Sequence, residues 1–230
     1  MNLYALQLEY AFNERLSLVA MKDGYVDFNP NNTFTNSSGF ANIAAGLKYA
    51  FILDHANQYA LSGSAVIELP TGSQGVFQGK GDGSINLTLQ NLKLHNNWQF
   101  AGALGLQLPF ENDFASSGFA SFHVSYEVTP WFIPLVELNY FRVLDSGDGG
   151  RRFTKQVAGA VPAVAGFEGA DLLNWGAAGS NGAEYATMAV GFRSRLCDQC
   201  SIGLAYEFPL TGKQKNITDE RFTFDLTYKF

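Results

Sequence analysis

Long apolar runs are missing from this chain. No stretch approaches the roughly 18 consecutive apolar residues that a membrane-spanning helix needs. The most apolar part, 157–167, is short and broken by glycine and proline. Charge is scarce as well: 16% of residues are Asp, Glu, Lys or Arg, against about 25% in a typical soluble domain. The net charge is −6 and no basic cluster is present, which removes the electrostatic footprint of a nucleic-acid binder. Cysteine is limited to Cys197 and Cys200. Two thiolates cannot complete a tetrahedral zinc site, and no histidine lies near them in sequence. No metal or other cofactor is expected. An export signal is absent too, because the first residues run straight into a strand pattern; an exported chain is expected to have lost one.

What is present is alternation. Residues 221–230 place Phe222, Phe224, Leu226, Tyr228 and Phe230 on one face of an extended strand, with Arg221, Thr223, Asp225, Thr227 and Lys229 on the other. Side chains alternate with period two along a strand, so this segment has one wholly apolar face and one polar face. Eleven such segments are expected, near 3–12, 15–27, 39–52, 57–70, 83–94, 97–109, 119–128, 131–143, 185–196, 201–210 and 221–230. Most are long enough to cross a bilayer when tilted, whereas soluble strands average about five or six residues.

The connections alternate in length. Short turns are expected at 13–14, 53–56, 95–96, 129–130 and 197–200, and long loops at 28–38, 71–82, 110–118, 144–184 and 211–220. Short turns on one rim and long loops on the other are the asymmetry of an outer-membrane barrel. The reading is therefore an all-β fold: one antiparallel transmembrane β-barrel over 1–230, with short periplasmic turns and long extracellular loops. Single-chain bacterial barrels have an even strand number, so about twelve strands are expected, eleven visible and a first one missing. The setting is the bacterial outer membrane. The expected partners are membrane lipid, a small-molecule solute, and the barrel-assembly machinery acting through the strand that ends at Phe230.

The apolar face, with Tyr4, Leu6, Leu104, Phe122, Val136, Leu138 and Tyr206, is assigned to lipid. The other face carries the candidate lumen or constriction residues Glu9, Lys48, Glu68, His123, Glu127, Glu137, Arg193, Arg195, Glu207 and Asp225. They read either as an ion network bracing the wall or as a filter for solute. The loop 144–184 is too long for a passive connector. Its Arg151, Arg152, Phe167 and Trp175 are candidates for a gate or cap over the mouth. Cys197 and Cys200 span a tight turn and are candidates for a disulfide, since a periplasmic pair would meet an oxidising compartment.

His123-x-Ser125 puts an imidazole and a hydroxyl on one strand face. The spacing resembles the catalytic pair of outer-membrane phospholipase A, which faces lipid. Here Phe122, Val124 and Tyr126 take the lipid side, so the pair points inward and reads as lumenal polar residues. No catalytic residues are assigned.

Five segments carry a wider resemblance: 21–25 (Met-Lys-Asp-Gly-Tyr), 68–72 (Glu-Leu-Pro-Thr-Gly), 78–83 (Gln-Gly-Lys-Gly-Asp-Gly), 167–171 (Phe-Glu-Gly-Ala-Asp) and 206–210 (Tyr-Glu-Phe-Pro-Leu). In these the chain resembles a family of bacterial outer-membrane barrels labelled after the MetA pathway of phenol degradation. The resemblance implies a transporter of small, often hydrophobic or aromatic, compounds, and transfers no active site. The function expected is an outer-membrane channel or transporter for small organic molecules, not an enzyme. The alternatives are a plugged structural or surface-interaction barrel and, with least weight, a lipid-modifying enzyme.

Overall fold

The computed structural model describes residues 1–29, 36–79, 81–112, 114–147, 180–212 and 219–230. Twelve antiparallel strands form one continuous sheet: β1 (Asn2–Ala11), β2 (Leu16–Phe28), β3 (Ser37–Phe40), β4 (Ile43–Asp54), β5 (Tyr59–Leu69), β6 (Ser84–His95), β7 (Trp98–Pro109), β8 (Ser116–Tyr126), β9 (Ile133–Asp145), β10 (Glu184–Arg195), β11 (Cys200–Pro209) and β12 (Arg221–Tyr228). Each long strand pairs with its neighbours in sequence, and β3 is a short addition to β2. Among the described residues β1 pairs only with β2 and β12 only with β11, so the sheet is open along those two edges.

The burial pattern is inverted relative to a water-soluble protein. On β9, Val136, Leu138 and Tyr140 are exposed, while Glu137 and Asn139, on the opposite face, are partly shielded. The same holds around the sheet, where Tyr4, Leu47, Leu104, Phe122, Leu204 and Phe224 are exposed. A soluble chain does not leave so large a contiguous apolar surface in water. A curved wall with hydrocarbon outside and polar side chains on its concave face accounts for it.

The short turns form where the side chains favour them. Asn13 Oδ1 accepts from the N–H of both Arg15 and Leu16 at 2.9 Å, a local turn that an Asn side chain builds on its own backbone. Asn96 takes φ +52 between β6 and β7, a left-handed conformation that Asn tolerates. The turn between β4 and β5 lies at 55–58, two residues later than the sequence suggests; Asp54 holds it by accepting from Asn57 N–H at 2.9 Å.

One expected strand is broken. The alternation over 39–52 reads as continuous, but β3 stops at Phe40 and β4 starts at Ile43. The interruption falls where Asn42 turns its amide away from the ladder. Its Nδ2 donates to Glu68 Oε1 at 2.7 Å, and its Oδ1 accepts from Gly72 N–H at 3.0 Å and Gly79 N–H at 2.8 Å. The loop after β5, including a 3-10 turn at Gln74–Val76, is thereby pinned to the sheet.

Candidate functional site

The polar face divides into two levels along the strand direction. Near the rim of long loops much of it is apolar and tightly packed. On one side Val26, Ala41 and Val76 are buried together with Phe28 against them, and Phe28 meets Phe77 edge-on with ring centroids 5.5 Å apart. Farther round, Ala115, Phe141 and Val143 are buried with Ala183 and Tyr185, and the Phe141 and Tyr185 rings lie 5.2 Å apart. Register puts Phe119, Phe141 and Tyr185 in a row on the same face as Ser121 and Asn139. Glu68 belongs to this level. It is buried at the Asn42 knot, not among the charged residues nearer the turns.

Toward the short-turn rim the same face becomes a belt of charge. Lys48 Nζ donates to Glu9 at 2.8 Å, and Glu9 also accepts from Ser17 Oγ at 2.7 Å. One charged cluster stands apart from that rim: beside the long connection from β11 to β12, Arg221 Nε donates to Glu207 at 2.7 Å, and Thr187 adds its hydroxyl to the same carboxylate. Arg195 reaches Glu127 at 2.9 Å, and Arg193 lies 3.7 Å from Asp225. That last pair spans β11. It forms because Gly203 leaves space, since a Cβ there would lie 2.2 Å from Asp225 Oδ2. These pairs are partly exposed, where a single ion pair contributes about 0–1 kcal/mol. Their main physical effect is a polarised surface of interleaved sign.

Within the belt, Glu137 has a different partner. His123 Nδ1 lies 2.7 Å from Glu137 Oε1, and His123 Nε2 lies 3.1 Å from Ser125 Oγ. Register sets His123 directly opposite Glu137 across β8 and β9. A carboxylate can only accept, so Nδ1 carries the proton donated to Glu137. In the neutral ring Nε2 then accepts from the Ser125 hydroxyl.

The structure thus gathers His123, Glu127, Glu137, Arg193, Arg195, Glu207 and Asp225 on β8–β12, with Arg221 among them, and sets Glu9 and Lys48 apart on β1 and β4. Arg221 was readable as a polar-face residue of the last strand but was not singled out. The apolar level had no clear sequence signal, because the loop that returns Val76 and Phe77 onto β2 and β3 makes much of it. Arg151, Arg152, Phe167 and Trp175 lie outside the described residues. Cys197 and Cys200 are free thiols whose backbones close the β10–β11 turn through paired hydrogen bonds of 3.2 and 3.3 Å. No group of three or more His, Cys, Asp or Glu suited to a metal ion occurs among the described residues. A groove of about 560 Å³ lies on the opposite, apolar face, where Gly102, Ala120 and Ala186 leave room between Leu89, Leu104 and Phe122. Gln90, Ser121, Asn139 and Thr187 of the polar face also border it.

Solved structures share this architecture. The chain superposes on the COG4313 outer membrane channel from Pseudomonas putida F1 with a TM-score of 0.61 and 17% identity, covering 97% of this chain and 80% of that one. It superposes on the NanC porin with a TM-score of 0.54 and 7% identity, over the full length of both. At such identities the likeness establishes the fold, an outer-membrane-type β-barrel. No curated protein matches the sequence. The family described as "Putative MetA-pathway of phenol degradation" matches over residues 6–192, and the chain belongs to that family.

Proposed function

We propose that the protein is a bacterial outer-membrane channel that passes small organic molecules, hydrophobic or aromatic ones among them. The observation that carries this reading is the two-level lumen face: apolar and aromatic residues near the long loops, interleaved charges near the short turns. An apolar solute body can leave water against Phe119 and Tyr185, which Phe141 backs, and a polar end then meets groups that can replace its hydration. Among the described residues, several large side chains of this face are engaged along the wall. Phe141 packs on Tyr185, Lys48 pairs with Glu9, and Arg193 and Arg195 pair with Asp225 and Glu127. Trp131, at the short-turn rim, is exposed. The likeness to the channel of Pseudomonas putida F1 and to a porin is consistent with passage, and so is membership of a family labelled for phenol degradation.

The experiment is swelling of proteoliposomes in isotonic solutions of solutes matched in size. The expected order is aromatic alcohols and aromatic acids faster than sugars of equal mass, with all of them faster than protein-free vesicles. Swelling indistinguishable from protein-free vesicles for every solute would contradict the channel reading.

A further inference from the structure

The His123 network differs in form from the other pairs of the belt. Lys48–Glu9, Arg221–Glu207, Arg195–Glu127 and Arg193–Asp225 each tie one strand to another. The His123–Glu137 contact does the same between β8 and β9. The second bond of His123 does not: it runs to Ser125, two residues along the same strand. A bond within one strand adds nothing to bracing between strands. It points an imidazole nitrogen at a hydroxyl and leaves the opposite nitrogen fixed by a carboxylate.

That order of groups, carboxylate to Nδ1 and Nε2 to hydroxyl, is the arrangement that raises the nucleophilicity of a serine. The distances, 2.7 and 3.1 Å, lie within hydrogen-bond reach for both steps. Ser125 is buried to 6% exposure beneath the imidazole, so the hydroxyl is held rather than free to rotate into water. Gln99 lies directly opposite Ser125 across β7 and β8. It makes no side-chain hydrogen bond among the described residues, so its amide N–H groups can receive negative charge developing beside the serine.

We propose that Ser125, His123 and Glu137 form a nucleophilic centre in the channel wall that cleaves small carboxylic esters in the lumen. Ser125 Oγ adds to the ester carbonyl carbon and forms a C–O bond, while its proton passes to His123 Nε2. Gln99 donates to the carbonyl oxygen as it becomes an oxyanion. Collapse breaks the bond to the alkoxy group, which takes the proton from Nε2 and leaves as the alcohol. Lumenal water, deprotonated by the same nitrogen, then adds to the acyl-serine and releases the acid and the free hydroxyl. Glu137 is a positioning residue: it fixes the tautomer and stabilises the imidazolium. The substrate class is short esters of small acids, set by a hydroxyl enclosed among side chains in a lumen wall.

The test uses the full chain folded in detergent, with heat-modifiable gel mobility confirming the barrel. A fluorophosphonate probe is added, and peptides containing Ser125 are examined by mass spectrometry. Hydrolysis of p-nitrophenyl butyrate is followed in parallel. The expected result is an adduct on Ser125 in the native protein that is lost in His123→Gln, and a fall in hydrolysis of roughly 100-fold or more in Ser125→Ala. Glu137→Gln keeps the fold, slows labelling of Ser125 and lowers kcat for the ester while leaving KM near its native value; a merely bracing glutamate would leave both rates unchanged. No adduct on Ser125 in the folded native protein, or equal hydrolysis by Ser125→Ala, would overturn the proposal. Permeation of solute is a separate readout and is unaffected by either outcome.

Discussion

The two levels of the lumen face are built from the same strands but held together by different forces. Near the long loops, Phe141, Val143 and Ala115 are almost fully buried, and the Asn42 side chain ties Glu68 of β5 to the loop that follows, with one hydrogen bond to Glu68 and two to the loop. Near the short turns the side chains are partly exposed ions, whose pairing contributes little to stability. The first level should govern how firmly the barrel holds its shape. The second should govern which ions and solutes feel the wall. Stability and selectivity are thus separated along one axis of a single sheet.

Mutations can break that separation, and the largest effect belongs to Phe141→Ala. It opens a cavity between the β9–β10 rim and residue 115, at a cost of about 3–5 kcal/mol. Urea unfolding in lipid vesicles should show the loss, with no change in ion selectivity. Asn42→Ala comes next. Gly72 and Gly79 lose their acceptor and Glu68 loses a donor, which should cost about 2–4 kcal/mol by the same measurement. Arg195→Gln inverts the pattern: stability should move by less than about 1 kcal/mol, while the reversal potential in a salt gradient shifts toward cation selectivity because Glu127 is left uncompensated. Smallest is Gly203→Ala, which pushes the Asp225 carboxylate away from Arg193. It should shift the reversal potential slightly and leave the unfolding midpoint within about 0.5 kcal/mol. A large stability loss from Arg195→Gln, or a selectivity change from Phe141→Ala, would show that the two levels are not separate.

Much of the wall was legible because period-two alternation needs only the local sequence. The polar face of β9, with Glu137 and Asn139, and the apolar face, with Val136 and Leu138, lie where the pattern puts them. The break at Asn42 was not legible, since its partners Gly72 and Gly79 return from more than 29 residues away. The bulges in β2, opposite Leu6 and Leu8 of β1, and in β4 between Ala50 and Ile52 were hidden for a related reason: one extra residue shifts register without disturbing local composition. The His123–Glu137 contact was nearly readable. A two-residue turn at 129–130 would set His123 against Val136, polar against apolar. The observed register sets it against Glu137, as matching of faces requires. Arg195–Glu127 and Arg193–Asp225 each reach across an intervening strand, and a pattern of neighbours carries no information about that.

The central claim is that hydrocarbon covers the apolar face while water covers the polar one. Single cysteines at 136, 137, 138, 139 and 140 of β9, in a Cys197→Ser and Cys200→Ser background, can carry a fluorophore in lipid vesicles. Quenching by doxyl-labelled lipid is then compared with quenching by aqueous iodide. Strong lipid quenching at 136, 138 and 140, alternating with iodide quenching at 137 and 139, is the predicted result. Equal quenching along the strand, or the alternation reversed, would contradict the account.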